Sequence, residues 1–170
     1  THRPPLQFDI EEQGSRVSFV HLDIIATWDK IHILRNDKNK SFLCGWESKP
    51  TKIRYPPFLG PSLVRIPKMR SWIRASWFAE LSTQDPQMRS LGAVRTIAEL
   101  VMLGYPLPLL KRVVGGITQQ PVRGLRGTAL RYIRALRKKY RDQQPPCEEV
   151  REDLHDMHLI PEARWSLLAE

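Results

Sequence analysis

The chain has 170 residues and a formal net charge of +9, which is room for one ordinary domain or two very small ones and excludes a multi-domain enzyme. Hydrophobic residues make up 41% and charged residues 26%, and this balance is typical of a chain that forms a core rather than of a disordered tail. No apolar run reaches the roughly 18 residues that a transmembrane helix needs, so we expect no membrane partner.

The first part of the chain, from about residue 6 to residue 46, has the two-residue periodicity of β-strands. We predict strands at 6–11, 17–27 and 31–35, with a candidate fourth at 41–46. Turn residues at Gln13-Gly14-Ser15 and at Trp28-Asp29-Lys30 join them into an antiparallel meander. Residues 47–67 are rich in proline and in cations, which indicates an extended basic connector rather than a regular element.

Beyond Pro67 the apolar residues follow helical spacing. The predicted helices span 68–81, 86–103, 107–114 and 122–141, followed by one or two short helices around 147–157 and 161–169. Helical spacing assigns Trp72, Trp77 and Phe78 to the bundle interior, because aromatic residues at such positions usually belong to a core. Trp28 lies in a tight turn, where it is a candidate contact with a partner.

These elements predict an α+β fold, with a small antiparallel β-meander at about 6–46 followed by a helical bundle at about 68–169. The chain divides into a meander at 1–46, the connector at 47–67, a basic helical bundle at 68–141 and an acidic helical tail at 142–170. These parts form either one compact unit or two small subdomains.

The positive charge is segregated along the chain. Residues 142–170 contain eight acidic and two basic residues, so they carry −6 and the first 141 residues carry +15. Residues 111–141 hold ten cations and no acid, while residues 30–74 hold eleven cations and two acids. Two separate basic runs favour a polyanionic partner, because clustered cations release counterions when they meet phosphates.

The basic runs supply the candidate RNA-binding residues. Aromatic residues interleaved with the first run, Trp46, Tyr55 and Phe58, are expected to stack on unpaired bases while the cations bind phosphates. The arginines of the second run suit bidentate contacts with phosphate. The candidate RNA-binding residues are Lys49, Lys52, Arg54, Tyr55, Arg65, Lys68, Arg70, Arg74, Lys111, Arg112, Arg123, Arg126, Arg131, Arg134, Arg137, Lys138, Lys139 and Arg141.

Motifs for catalysis are missing from the sequence. Gly115-Gly116 is not followed by the Gly-Lys-Ser/Thr of a phosphate-binding loop, and the sequence has neither a dinucleotide fingerprint nor a Gly-x-Ser-x-Gly elbow. We therefore predict no enzyme activity, no catalytic residue and no cofactor. His155 and His158 lack an accompanying Cys-x-x-Cys pair, so we predict no metal site. Two cysteines cannot build a disulfide framework, which favours a reducing compartment.

Short motifs between about residues 6 and 114 resemble reverse transcriptases of the Penelope-like and related retroelements. Phe8-Asp9-Ile10-Glu11-Glu12-Gln13-Gly14, followed by residues 17–24, is similar to the segment after the catalytic motif of that family. Residues 31–35, Lys49-Pro50-Thr51-Lys52 and residues 68–74 match its later hairpin, basic motif and basic helix in the same order. The family's metal-binding aromatic-x-Asp-Asp turn is missing here. The resemblance therefore implies a palm-edge and thumb region without an active site, left to hold nucleic acid.

Together these features predict a non-catalytic, RNA-binding structural component of a large ribonucleoprotein. A mitochondrial ribosome is the expected setting, with rRNA and neighbouring proteins as partners. The excess of basic over acidic residues and the first residue, Thr1 rather than Met, favour the mitochondrion, while the nucleus and the cytosol stay open. Two alternatives also stay open. One is a thumb fragment of an active reverse transcriptase, and the other is a protein–protein adaptor whose helical bundle docks a partner through tryptophan and leucine residues.

Overall fold

The computed structural model describes residues 13–19, 22–35, 55–60 and 65–156. Within these ranges three strands come first and five α-helices follow, so the predicted α+β order of a meander and then a helical region is confirmed. The predicted strands at 6–11 and 41–46 and the predicted helix at 161–169 lie outside the described residues. The elements are β1 (Arg16–Phe19), β2 (Leu22–Ala26), β3 (Ile31–Arg35), α1 (Ile66–Glu80), α2 (Pro86–Met102), α3 (Leu107–Gly115), a 3-10 turn (Gln120–Val122), α4 (Arg123–Tyr140) and α5 (Cys147–Asp156).

The three strands form an antiparallel sheet in the order β1-β2-β3. The prediction of a single strand over 17–27 is wrong, because β1 ends at Phe19, β2 begins at Leu22, and these two residues pair with each other. The sequence between Val17 and Thr27 contains no glycine, proline or asparagine to signal a reversal. The predicted turn after β2 is confirmed by the hydrogen bond from the Thr27 amide to the Lys30 carbonyl, at 2.9 Å.

One face of the sheet packs on the helices. Ile25 and Leu34 are buried against Met88 of α2, with Leu91 beside them. The backbone amide of Gln84, between α1 and α2, donates to the Ile33 carbonyl at 3.2 Å. The meander is therefore attached to the start of α2 by both apolar contacts and a backbone hydrogen bond.

The helices begin and end close to the predicted residues because their boundaries carry local signals. Pro67 and Pro86 stand in the first turns of α1 and α2, where the missing proline N–H removes no intrahelical bond. Gly104 follows α2 with a φ of 94°, a left-handed conformation that glycine adopts without strain. None of the described helices combines the length and apolarity needed to cross a membrane.

Helix α2 lies at the centre of the bundle and packs against α1, α4 and α5. Ile97 and Ala98 of α2 are fully buried, as is Trp77 of α1, whose indole N–H donates to the Ala93 carbonyl at 3.4 Å. Trp72 is half-buried at the edge of this core. The assignment of Phe78 to the interior is wrong, since its side chain is 41% exposed.

Candidate nucleic-acid interface

Helix α4 separates its apolar residues from its cations. Leu125, Ala129, Tyr132, Ile133 and Leu136 are buried on one side. A rotation of about 100° per residue places four exposed cations on the opposite side, spread over about 22 Å of helix. These four residues, Arg123, Arg131, Arg134 and Lys138, are called here the basic face of α4.

Two other cations of α4 are already paired with acids of the same chain. Arg137 binds the Asp142 carboxylate through two hydrogen bonds, one of them from Nη2 at 3.2 Å. The Nζ atom of Lys139 lies 4.0 Å from Glu149 Oε2 and 3.7 Å from Asp153 Oδ1, both on the acidic helix α5. Part of the acidic segment therefore faces this chain's own basic helix and neutralises one flank of it.

The basic face of α4 lacks such neutralisation. Over the described ranges 13–19, 22–35, 55–60 and 65–156, none of its four cations lies within 4.0 Å of a carboxylate oxygen. Arg131 has a hydrogen bond to the Thr128 hydroxyl at 3.3 Å, which orients the guanidinium without changing its charge. The α4 sequence itself contains no acidic residue. Among the described residues, the face is therefore a row of positive charges without carboxylate partners.

Helix α3, which packs beside α4, carries two further cations, and both Lys111 and Arg112 are exposed. The hydrogen bond from Arg137 holds the pKa of Asp142 below its ordinary value, and the positive charge of Lys111 lowers it further. Arg141, which follows the last residue of α4, is also exposed.

Two predicted RNA-binding arginines instead hold the C-terminal end of α3. Arg70 Nε donates to the Val113 carbonyl at 3.3 Å, and Arg126 Nη2 donates to the Gly115 carbonyl at 3.1 Å. The last carbonyls of a helix carry the negative end of its dipole, so cations stabilise them. A Cβ atom at Gly116 would lie 2.2 Å from Arg70 Cζ, so glycine leaves the room that Arg70 occupies.

The expectation that Tyr55 stacks on an RNA base is wrong for this structure, because its side chain is only 3% exposed. Its ring packs against Trp72 with centroids 5.6 Å apart, and Lys68 Nζ lies 5.7 Å from the Trp72 ring. Phe58 is likewise half-buried, against Tyr105 at 5.3 Å. These aromatic residues of the connector thus belong to the protein core.

The remaining candidates of the first basic run do not form one surface. Arg65 is exposed and Arg74 is half-buried, and helical spacing puts Arg65 and Lys68 on one flank of α1 but Arg70 and Arg74 on the other. Lys49, Lys52 and Arg54 lie outside the described residues, as does Trp46. In the part of the chain that the structure describes, no group of three His, Cys, Asp or Glu side chains could hold a metal ion.

Sequence reasoning missed a buried cluster of charges between the sheet and the helices. Glu80 is completely buried, with Oε2 at 3.5 Å from Arg35 Nη1 and 3.6 Å from Arg95 Nη2. The Thr83 hydroxyl donates to Glu80 Oε1 at 3.2 Å. A Cβ at Gly92 would lie 2.0 Å from the Glu80 carboxylate, so this helical glycine makes room for it. The cluster is closed to solvent and joins β3 to α1 and α2.

Comparisons with known proteins add no family to this description. No protein-family model matches the chain, and no significant match is found among curated proteins or among solved structures. The function is therefore argued from the surface that the fold presents.

Proposed function

We propose that this chain binds RNA through the basic face of α4, as a non-catalytic structural component of a ribonucleoprotein. The observation that carries the proposal is the contrast within one helix: Arg137 and Lys139 are paired with the chain's own acids, whereas Arg123, Arg131, Arg134 and Lys138 are exposed and have no described carboxylate partner.

The setting we propose is a large assembly such as a mitochondrial ribosome, with rRNA and neighbouring proteins as partners. The order of short motifs shared with retroelement reverse transcriptases supports an origin in a polymerase thumb, a region that grips nucleic acid. The net charge of +15 over the first 141 residues supports the same kind of partner independently of that resemblance.

The four cations set the expected salt dependence. Each phosphate contact contributes about −0.7 (single strand) to −0.9 (duplex) to the slope of log K against log salt concentration. Four contacts therefore predict a slope between about −2.8 and −3.6, which is a loss of about 50-fold to 150-fold in affinity between 50 and 200 mM salt. Lys111 and Arg112 steepen the slope if they also reach phosphates.

The experiment measures binding of a fluorescently labelled structured RNA to the full chain by anisotropy across that salt range. Arg131→Gln/Arg134→Gln removes two charges from the basic face and is expected to flatten the slope by about 1.4 to 1.8. The matched control, Arg137→Gln/Lys139→Gln, removes the same charge from the same helix but from cations already paired with acids, and is expected to keep the slope. A flat salt response, or equal losses in both variants, would contradict the proposal.

The exposed apolar residues of the meander favour one second candidate, a protein–protein adaptor. Trp28 is 95% exposed in the β2–β3 turn, and Ile31 beside it is 62% exposed. An adaptor that docks there would lose its protein partner in Trp28→Ala and keep it in Arg131→Gln/Arg134→Gln. If the chain binds RNA through α4, Arg131→Gln/Arg134→Gln is expected to lose RNA affinity and Trp28→Ala to keep it.

A further inference from the structure

We propose that the ligand of the basic face of α4 is the phosphate backbone of a duplex, bound without reading its sequence. This inference rests on the proposed function and narrows its ligand from RNA in general to base-paired RNA. Three properties of the surface support it: its rigidity, its lack of aromatic rings for base stacking, and its charge density.

The first property is the fixed spacing of the cations. Helix α4 has 18 residues and is about 27 Å long. Arg123 and Arg131 are about 12 Å apart along the axis, and Arg134 and Lys138 follow after about 4.5 and 6 Å. A helix supports these cations on a stiff backbone, which suits a stiff ligand whose phosphates are also held at fixed spacing, because neither backbone then loses much conformational freedom on binding.

The second property is the absence of a stacking platform. Proteins that hold single strands place the bases on exposed aromatic rings. The aromatic residues of α3 and α4 are Tyr132 and Tyr140 alone. Tyr132 is buried, and Tyr140 is half-buried with its hydroxyl bound to Glu149. Tyr55, the connector residue proposed for stacking, is in the core. The α3–α4 surface can therefore hold phosphates but offers no described ring to an unpaired base.

The third property concerns charge density, because a duplex presents more phosphates along the row of cations than a single strand does. A duplex carries one charge per about 1.7 Å of axis and a single strand about half as many, so a 22 Å row spans about 13 duplex phosphates. Counterion release is also larger for a duplex, with slopes of about −3.6 against −2.8 for four contacts. If the two ligands bind equally at 1 M salt, this difference alone gives about sixfold tighter duplex binding at 100 mM.

The side of α4 that carries the basic face has little side-chain bulk in its first half. Gly124 and Gly127 lie between Arg123 and Arg131, and a Cβ atom at either position would meet nothing within 4 Å. The helix backbone is therefore bare where the edge of a duplex would approach the arginines. Contacts of this kind go to phosphate and sugar atoms and carry no base information.

The test uses the full chain and four ligands with equal numbers of phosphates: an RNA hairpin, a second hairpin of scrambled sequence, an unstructured oligo(U) strand and a DNA hairpin. Anisotropy at 100 mM salt is expected to show both RNA hairpins binding alike and about sixfold or more tighter than oligo(U). Arg131→Gln/Arg134→Gln leaves two contacts and is expected to reduce this preference to about 2.5-fold, whereas Arg137→Gln/Lys139→Gln is expected to keep it.

The outcomes separate this inference from the proposed function. Equal or tighter binding of oligo(U) would overturn the duplex inference and leave RNA binding standing. Tighter binding of the DNA hairpin than of the RNA hairpins would support a duplex ligand but overturn RNA as its source. Failure of every ligand to bind would overturn both.

Discussion

Replacing Glu80 by Gln tests the buried charge cluster that joins the sheet to the helices. The Glu80 carboxylate is completely buried and lies 3.5 Å from Arg35 Nη1 and 3.6 Å from Arg95 Nη2. Glutamine has nearly the same size, so the packing is kept while the negative charge between the two guanidinium groups is lost. Removing one partner of a buried ion pair costs about 3–5 kcal/mol, because the remaining charge stays buried without compensation.

A loss of that size is a large share of the free energy of unfolding of an ordinary domain, which is about 5–15 kcal/mol. The assay is urea denaturation followed by circular dichroism, with the free energy of unfolding extrapolated to water. Glu149→Gln is the matched control. It removes a carboxylate whose contact with Lys139 is exposed, at 4.0 Å, while the glutamine amide oxygen can still accept the hydrogen bond from the Tyr140 hydroxyl, so the unfolding midpoint is expected to stay nearly unchanged.

Hydrogen exchange locates the effect. Because Arg35 belongs to β3, loss of the Glu80 charge is expected to lower the protection of the β3 amides more than that of the α2 amides around Ile97. A destabilisation by Glu80→Gln of less than about 1 kcal/mol, with unchanged protection of β3, would refute the reasoning that this cluster holds the meander in place.

Two further predictions follow from close contacts and from buried polar atoms. Gly92→Ala puts a Cβ atom 2.0 Å from the Glu80 carboxyl carbon and is expected to destabilise the protein by about 1–3 kcal/mol in thermal melts. Its control, Gly127→Ala, has open space around the new Cβ atom and is expected to stabilise the protein by up to about 1 kcal/mol. Equal losses of stability in the two variants would contradict the clash at Gly92. The Tyr132 hydroxyl is buried with no hydrogen-bond partner among the described residues, and burial, helped by the charge of Asp153, raises its pKa. The unfolded chain therefore loses this proton above about pH 10 while the folded chain keeps it, so stability falls as the pH rises further, by up to about 1.4 kcal/mol per pH unit. Tyr132→Phe is expected to make this decline shallower and to stabilise the protein by about 1 kcal/mol at neutral pH, and an unchanged decline in denaturation curves between pH 9 and 11 would count against this account.

The fold class and the helix boundaries could be predicted from the sequence because their signals are local. Pro86 and Gly104 bracket a run with helical spacing, and the structure places α2 at Pro86–Met102, within a residue of the predicted 86–103. The segment between Phe19 and Leu22 contains no glycine, proline or asparagine, so the alternating pattern there predicts one strand where the structure has two. Strand pairing between neighbouring segments of the same periodicity is decided by tertiary packing rather than by local preference.

The amount of positive charge on this protein and the stretches that carry it can be read directly from the amino-acid sequence. Which cations can reach a partner depends on how the chain folds. Arg70 and Arg126 bind carbonyls at the end of α3, and Arg137 and Lys139 face acids of the same chain, whereas the cations of the basic face of α4 have no carboxylate partner among the described residues. The number of charges is a property of composition, but their neutralisation depends on distances of a few ångströms between groups as far apart in sequence as Arg70 and Val113.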